Sequence, residues 1–341
     1  MKILHGIVLA GSFVLVVAAL GAQTPAAYGT DPNYKVPRLP NGQPDLQGVW
    51  GNNSVTPTTR PRQWKDKALL SEQELQEIKQ MASRSVDEGG DAIFGNLIQQ
   101  LLDAKDRGEF KQLSYDPTTG NYNQFWMADR EWDLRTSLII DPTDGQFPPL
   151  TAEAQARRAA AAARPRTRGP SDGPEDRPLP ERCISYGAPR TQANYNSYTQ
   201  IIQSPQTVVL LQEMIHDARV VPLGNQPHLP KQVRQLHGDP RGRWEGDTLV
   251  VETTNYINGF QGSTPDVKLT ERYTRVSKDF INWQITVEDT ATWTKPYTLM
   301  IRLKKTEGQI YEYACHEGNY AMEGILGGAR REEELARQKK K

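Results

Sequence analysis

The segment with the most chemical potential follows the second cysteine of the chain. His316 and Glu317 come directly after Cys315, and an amide and a phenol, Asn319 and Tyr320, lie close behind. An imidazole and a carboxylate can accept and donate protons, which general acid–base catalysis requires. We therefore predict that His316 and Glu317 are catalytic, and that Asn319 and Tyr320 contact the substrate. The alternative is a strand end whose polar side chains satisfy loop amides.

A second histidine, His216, precedes Asp217 and Arg219 at the start of a predicted strand. Successive side chains of a strand point to opposite faces, so His216 would not pair with Asp217. Asp217 and Arg219 share a face, which favours a surface ion pair between them. In the catalytic alternative, His216 is the acid or base and Arg219 holds developing negative charge.

A third group, Arg243, Trp244 and Glu245, lies in a glycine-rich segment. Glu245 is the catalytic candidate, because a carboxylate can orient a proton. Arg243, Trp244 and the more distant Trp283 are predicted to bind the substrate. The glycines do not follow the strand–helix pattern of a phosphate-binding loop, so residues 237–243 are predicted to form a turn.

The composition and the motif search exclude several classes of function. The chain has 41 basic and 41 acidic residues and a net charge of zero, so no nucleic-acid partner is expected. No HxH, HExxH or paired CxxC spacing occurs, and we predict neither a metal nor another cofactor; the alternative is that three histidines remote in sequence converge on a metal in the barrel. The chain also has no GxSxG elbow, which counts against a serine α/β-hydrolase.

The elements that position these residues are mostly strands. The predicted strands are 198–203, 207–212, 218–223, 248–254, 269–276, 280–288, 297–304 and 309–314. Eight strands without intervening helices predict a β-rich antiparallel meander, most economically a closed or nearly closed lipocalin-like barrel. Rings such as Trp283 inside it would either line a pocket for an apolar or aromatic ligand or simply pack the core.

The remaining segments predict a layer of helices around this barrel. Ser71 and Glu74 have the spacing of a capping box that opens a helix, and further helices are predicted at 92–105 and 151–163. The expected organisation is an N-terminal arm, helix and loop layer at 23–180 and a barrel at 181–320. A charged helix or tail follows at 321–341.

The N-terminus and the cysteines indicate export. Residues 1–22 have the charged start, apolar run and small-residue exit of a signal peptide, with cleavage expected after Ala22; an uncleaved membrane anchor is the alternative. In an oxidising compartment, Cys183 and Cys315 are expected to form a disulfide rather than remain free thiols. The expected location is periplasmic or secreted, with no stable membrane insertion after cleavage.

Several segments together resemble a large family of exported, signal-peptide-bearing bacterial proteins. They are PNGQPDLQGVW at 40–50, RTSLI at 135–139, DGPEDRPL at 172–179, MIHDAR at 214–219, GDPRGRWEGDTLVV at 238–251 and YEYACHEGNY at 311–320. The resemblance covers nearly the whole mature chain. That family has no established activity, so the resemblance implies export and a shared fold but no catalytic residues.

Two functions of different class fit these observations. The first is a cofactor-independent lyase, isomerase or hydrolase that acts on a small apolar or aromatic compound. The second is a non-enzymatic periplasmic binding or carrier protein for a hydrophobic ligand; an envelope interaction protein is a further alternative.

Overall fold

The computed structural model describes residues 28–87, 96–108, 130–164, 167–191, 193 and 195–339. The predicted signal peptide and its cleavage site lie outside these residues. Ten antiparallel strands form one sheet in the described part of the chain. They are β1 (Gly48–Gly51), β2 (Ile139–Asp141), β3 (Tyr198–Gln203), β4 (Thr207–Gln212), β5 (Ala218–Pro222), β6 (Asp239–Glu245), β7 (Thr248–Thr254), β8 (Lys268–Arg275), β9 (Phe280–Glu288) and β10 (Tyr297–Thr306). The predicted β-rich, antiparallel fold is confirmed.

The strands lie in the order β5-β4-β3-β1-β10-β9-β8-β7-β6, and β2 pairs with β10 beyond the end of β1. Burial alternates along the strands, as in β8, where residues 269, 271, 273 and 275 are buried and their neighbours are partly exposed. One face of the sheet therefore encloses the main core, and the other is partly exposed except where residues such as Val250 and Met300 are buried.

The two ends of the sheet, β5 and β6, face each other across a gap that we call the seam. They meet at one parallel bridge, where the Gly224 N–H donates to the Gly242 carbonyl over 3.0 Å. The alternation of the two ladders turns the nitrogens of Pro222 and Pro240 toward the seam. Proline has no N–H to donate, so a continuous ladder cannot form there. The sheet is not closed, and the predicted closed or nearly closed, lipocalin-like barrel is not confirmed.

A glycine sets the close approach at the single bridge. A Cβ atom at position 242 would lie 2.7 Å from Cδ2 of Leu223 and 2.8 Å from Cγ1 of Val221. These distances are shorter than normal van der Waals contact, so β6 reaches β5 here because residue 242 has no side chain.

One strand prediction and one turn prediction were wrong. Residues 309–314 form no strand, although their aromatic residues have the spacing of one. Residues 237–243 were predicted to form a turn, but β6 begins at Asp239, and its pairing with β7 outweighs the low strand propensity of glycine and proline. In the segment 134–141, only Ile139–Asp141 is a strand.

Four helices accompany the sheet in the described residues: α1 (Glu72–Asp87), α2 (Leu97–Arg107), α3 (Ala152–Ala163) and α4 (Tyr320–Lys339). The capping box is confirmed, because the Glu74 N–H donates to Oγ of Ser71 over 3.2 Å and the Ser71 N–H donates to Oε2 of Glu74 over 2.8 Å. Helices α1 and α2 pack on each other in a second, smaller core. The start of the helix predicted at 92–105 falls on undescribed residues.

The predicted disulfide between Cys183 and Cys315 is present and spans 132 residues. It fastens the irregular segment after β10 to the loop before β3. None of the helices in the described residues is long and apolar enough to cross a membrane.

Candidate functional site

The surface ion pair predicted between Asp217 and Arg219 does not form. Both side chains are buried, which is consistent with a shared face, but each has other partners. Nη1 of Arg219 donates to Oε1 of Glu271 over 3.0 Å, and Nη2 donates to Oγ1 of Thr253 over 3.0 Å. The guanidinium therefore lies in the core, where Glu271 on β8 neutralises it.

The same carboxylate binds Trp283, another predicted site residue. Nε1 of Trp283 donates to Oε1 of Glu271 over 3.2 Å, and the Tyr273 hydroxyl donates to the same oxygen over 2.7 Å. The two rings stack with centroids 5.5 Å apart, and burial raises the pKa of Tyr273 well above its usual value. Trp283 is thus a core side chain, which favours packing over the lining of an interior pocket.

Arg243 and Glu245 come together on the outer face of the sheet. Nε of Arg243 donates to Glu245 over 2.9 Å, and Nη1 of Arg272 donates to it over 2.8 Å. These hydrogen bonds, that from Arg272 foremost, lower the pKa of the Glu245 carboxyl. Trp244 points to the opposite face and packs against the main core. The arrangement is an exposed charge cluster, and Arg243 also lines a cleft of about 220 Å³.

The segment around His316 is an exposed turn that leads into α4. His316, Glu317 and Tyr320 are exposed, with Tyr320 78% accessible. Asn319 has a structural role, because Nδ2 donates to the Glu181 carbonyl over 2.9 Å and Oδ1 accepts from the Met322 N–H over 3.3 Å. The sequence predicted a catalytic centre here; none of these four residues lines the clefts that are described below.

His216 is also exposed, and it ties down the segment after β10. Its Nε2 accepts a hydrogen bond from the Tyr313 N–H over 3.1 Å. That nitrogen must carry a lone pair, so the bond forms only with the neutral imidazole. His216 therefore acts in this structure as an anchor for the segment that ends at the disulfide.

A histidine that the sequence analysis did not select lies in a different setting. Nε2 of His237 is 2.9 Å from Oγ of Ser185 and 3.4 Å from Oδ1 of Asp217. The Ser185 hydroxyl donates to Oδ2 of Asp217 over 2.8 Å, and Oγ accepts from the Gly187 N–H over 2.7 Å. The Tyr186 N–H also donates to Asp217, over 3.3 Å. Three separate segments thus meet at one buried carboxylate.

This network assigns the proton of the imidazole. The single hydroxyl hydrogen of Ser185 goes to Asp217, so Oγ must accept from Nε2–H of His237. Nδ1 then carries the lone pair. Burial lowers the pKa of His237, Asp217 opposes that effect and Arg219 adds to it, so the ring is neutral at pH 7.

The cluster is not a Ser-His-Asp triad. In a triad the serine and the aspartate bind opposite nitrogens of the imidazole, whereas Ser185 and Asp217 both meet Nε2. Ser185 is also only 1% exposed. The cluster provides a histidine held by a carboxylate through Nε2, while Nδ1 has no hydrogen-bond partner among the described residues and can take a proton.

His237 lines a cleft of about 310 Å³ in the seam, which we call the seam cleft. Residues 218–220 form one wall and residues 235–238 with Pro240 form the other. The Gln212 N–H donates to the Asp217 carbonyl, so Asp217 faces β4. In an antiparallel ladder every second residue faces the partner strand, so the backbone N–H and C=O groups of Ala218 and Val220 face the seam instead. The seam cleft therefore combines apolar side chains, the polar residues Arg219 and Gln235, strand-edge amides and one histidine.

Two further clefts lie nearby. The first, of about 120 Å³, is lined by residues 186–189, Leu236, Tyr256 and residues 259–261, and we call it the Tyr186 cleft. The second, of about 220 Å³, contains His228, whose two nitrogens face Asp239 at 3.0 Å and Glu252 at 3.4 Å. Within the described ranges no group of three or more His, Cys, Asp and Glu side chains is placed to hold a metal ion.

Sequence reasoning missed His237 because its partners are remote in the chain. Ser185 is 32 residues from Asp217 and 52 from His237, and a motif detects only fixed spacing.

Comparison of the chain with protein-family models, with curated proteins and with solved structures gives no match.

Proposed function

We propose that this protein is a cofactor-independent hydrolase of small carbonyl compounds, in which His237 is the general base. The observation that carries the proposal is the Ser185–Asp217–His237 network. It holds a neutral imidazole by one nitrogen at a cleft of small-molecule size, and no described residue forms a hydrogen bond with the other nitrogen.

The reaction follows from the groups at hand. Nδ1 of His237 takes a proton from water as the water oxygen bonds to the substrate's carbonyl carbon. The strand-edge amides of Ala218 and Val220 are the donors for the developing oxyanion. When the intermediate collapses, the bond to the leaving group breaks, and Nδ1 returns its proton to the leaving oxygen.

The buried carboxylate supports this cycle. During the reaction the imidazole carries a positive charge, and Asp217, at 3.4 Å, stabilises it. The apolar side chains of Ala218, Val220, Leu236 and Pro240 in the cleft walls favour a small, mostly apolar substrate.

We further propose that the protein acts in the periplasm or outside the cell as a member of the exported family that its sequence resembles. The disulfide supports this location, because such cross-links persist in oxidising compartments.

The hydrolysis of phenyl acetate, followed by the release of phenol, tests the assignment. The kcat/KM of the His237→Gln variant should be about 10²- to 10⁴-fold lower than that of the wild type, which is the usual contribution of a positioned base. His228→Gln is the matched control, since that histidine is also partly buried beside a carboxylate, and it should hydrolyse like the wild type. Equal rates for His237→Gln and wild type, or binding without turnover, would contradict the proposal.

A further inference from the structure

We infer that the Tyr186 cleft is a subsite for a single aromatic ring of the substrate. The inference rests on the proposed function, because it assigns the ring to the same molecule whose carbonyl lies at His237.

The two clefts share their walls in a specific way. Leu236 lines both of them, and it directly precedes His237. On the opposite side, Ser185 belongs to the Ser185–Asp217–His237 network, and the next residues, Tyr186 and Gly187, line the Tyr186 cleft. The segments 185–187 and 236–237 therefore each contribute one residue to the Ser185–Asp217–His237 network and a neighbouring residue to the Tyr186 cleft.

The lining of the Tyr186 cleft suits an aromatic ring. Among the described residues no charged side chain lines it; Tyr186, Leu236 and Phe260 provide apolar surface, and Tyr256, Gln261 and backbone groups provide polar surface beside it. The Tyr186 ring lies over the Arg190 guanidinium at 5.4 Å, which holds the ring in place although it is 39% exposed. Gly187 adds open space, since a Cβ atom there would meet no atom within 4 Å.

The size of the cleft sets the size of the group. Its volume of about 120 Å³ is close to that of an apolar cavity of about 150 Å³ that binds benzene. This volume matches a single ring better than a fused pair. The preferred substrate class is therefore a small ester or related carbonyl compound that carries one ring beside the reacting group.

Benzyl alcohol is a probe for this subsite that needs no catalysis. Its ring protons should give intermolecular nuclear Overhauser effects to the Leu236 methyl groups in two-dimensional NMR spectra of the wild type. Tyr186→Ala should weaken its binding by about three- to tenfold, because one aromatic wall is lost. Tyr311→Ala, which removes a 74% exposed ring that is not part of the cleft lining, should leave binding unchanged.

Kinetics separate the subsite from the catalytic assignment. Tyr186→Ala should raise KM for phenyl acetate and leave KM for methyl acetate, which has no ring, unchanged. His237→Gln should bind benzyl alcohol as the wild type does. If His237→Gln hydrolyses normally but benzyl alcohol contacts Leu236, only the catalytic role fails. Contacts of benzyl alcohol elsewhere, or unchanged binding by Tyr186→Ala, would overturn the subsite itself.

Discussion

The Arg219 side chain carries a charge in the core of the sheet, and Glu271 makes that possible. The carboxylate accepts hydrogen bonds from Arg219, Tyr273 and Trp283, which lie on three different strands. A buried charge without its partner is strongly destabilising, whereas a paired one is tolerated. Glu271 therefore joins β5, β8 and β9 at a point near the seam cleft.

Removal of the guanidinium tests this role. Arg219→Met keeps much of the side-chain volume but leaves Glu271 unpaired, so the free energy of unfolding should fall by about 3–5 kcal/mol. Arg243→Met, at an exposed ion pair, should change it by about 0.5 kcal/mol or less. Urea unfolding measures both, and a small effect of Arg219→Met would show that Glu271 does not depend on its partner.

At this scale the sequence predicted which residue types matter but not their partners. The alternation along a strand correctly placed Asp217 and Arg219 on one face. It did not predict Glu271 or Ser185 as their partners, because contacts between remote segments depend on how the sheet curves. His316 looked more suitable than His237 because its neighbours in sequence carry polar groups, yet those groups are exposed.

At the scale of the elements, alternating and β-branched segments were predicted well, and β3, β4, β7 and β9 have the predicted bounds. The strand β6 was missed because glycine and proline usually mark turns. Two residues of β6 have opposite effects on the seam. Pro240 has no N–H to pair with β5, whereas Gly242 lets β6 approach β5 at the single bridge. The seam cleft lies beside that point because the two edges separate there.

The glycine at the bridge can be tested by adding one methyl group. Gly242→Ala should lower the free energy of unfolding by about 1–3 kcal/mol, because the new Cβ overlaps Leu223 and Val221. Gly324→Ala in α4 meets no atom within 4 Å and should be neutral or stabilising by up to about 1 kcal/mol. Thermal or urea unfolding of both variants decides the matter; a Gly242→Ala variant as stable as wild type would mean that the bridge is loosely packed.

For the whole molecule, the disulfide connects the loop before β3 to the segment after β10. Cys183 lies two residues before Ser185, and Cys315 ends the segment that His216 anchors through Tyr313. The even cysteine count and the signs of export predicted this bridge. Closure of a barrel was not predictable in the same way, because it depends on whether two remote strand edges can pair, and two prolines prevent it here.

Loss of the cross-link should destabilise the protein without unfolding it. A typical disulfide contributes about 2–4 kcal/mol, so a Cys183→Ala/Cys315→Ala double variant should melt several degrees below the wild type. Dithiothreitol should not lower its Tm further, while it should lower that of the wild type. Two alkylatable thiols in unreduced, denatured wild-type protein would contradict the account.

The most direct test of the central claim is an NMR titration of His237, with ¹⁵N shifts to identify the protonated nitrogen. Because burial lowers its pKa, the ring should titrate below the usual value of about 6.5. At pH 7 it should be neutral with the proton on Nε2, and kcat/KM for phenyl acetate should fall as pH drops through the same pKa. A ring that is protonated at pH 7, or that carries its proton on Nδ1, would contradict the assignment of His237 as the base.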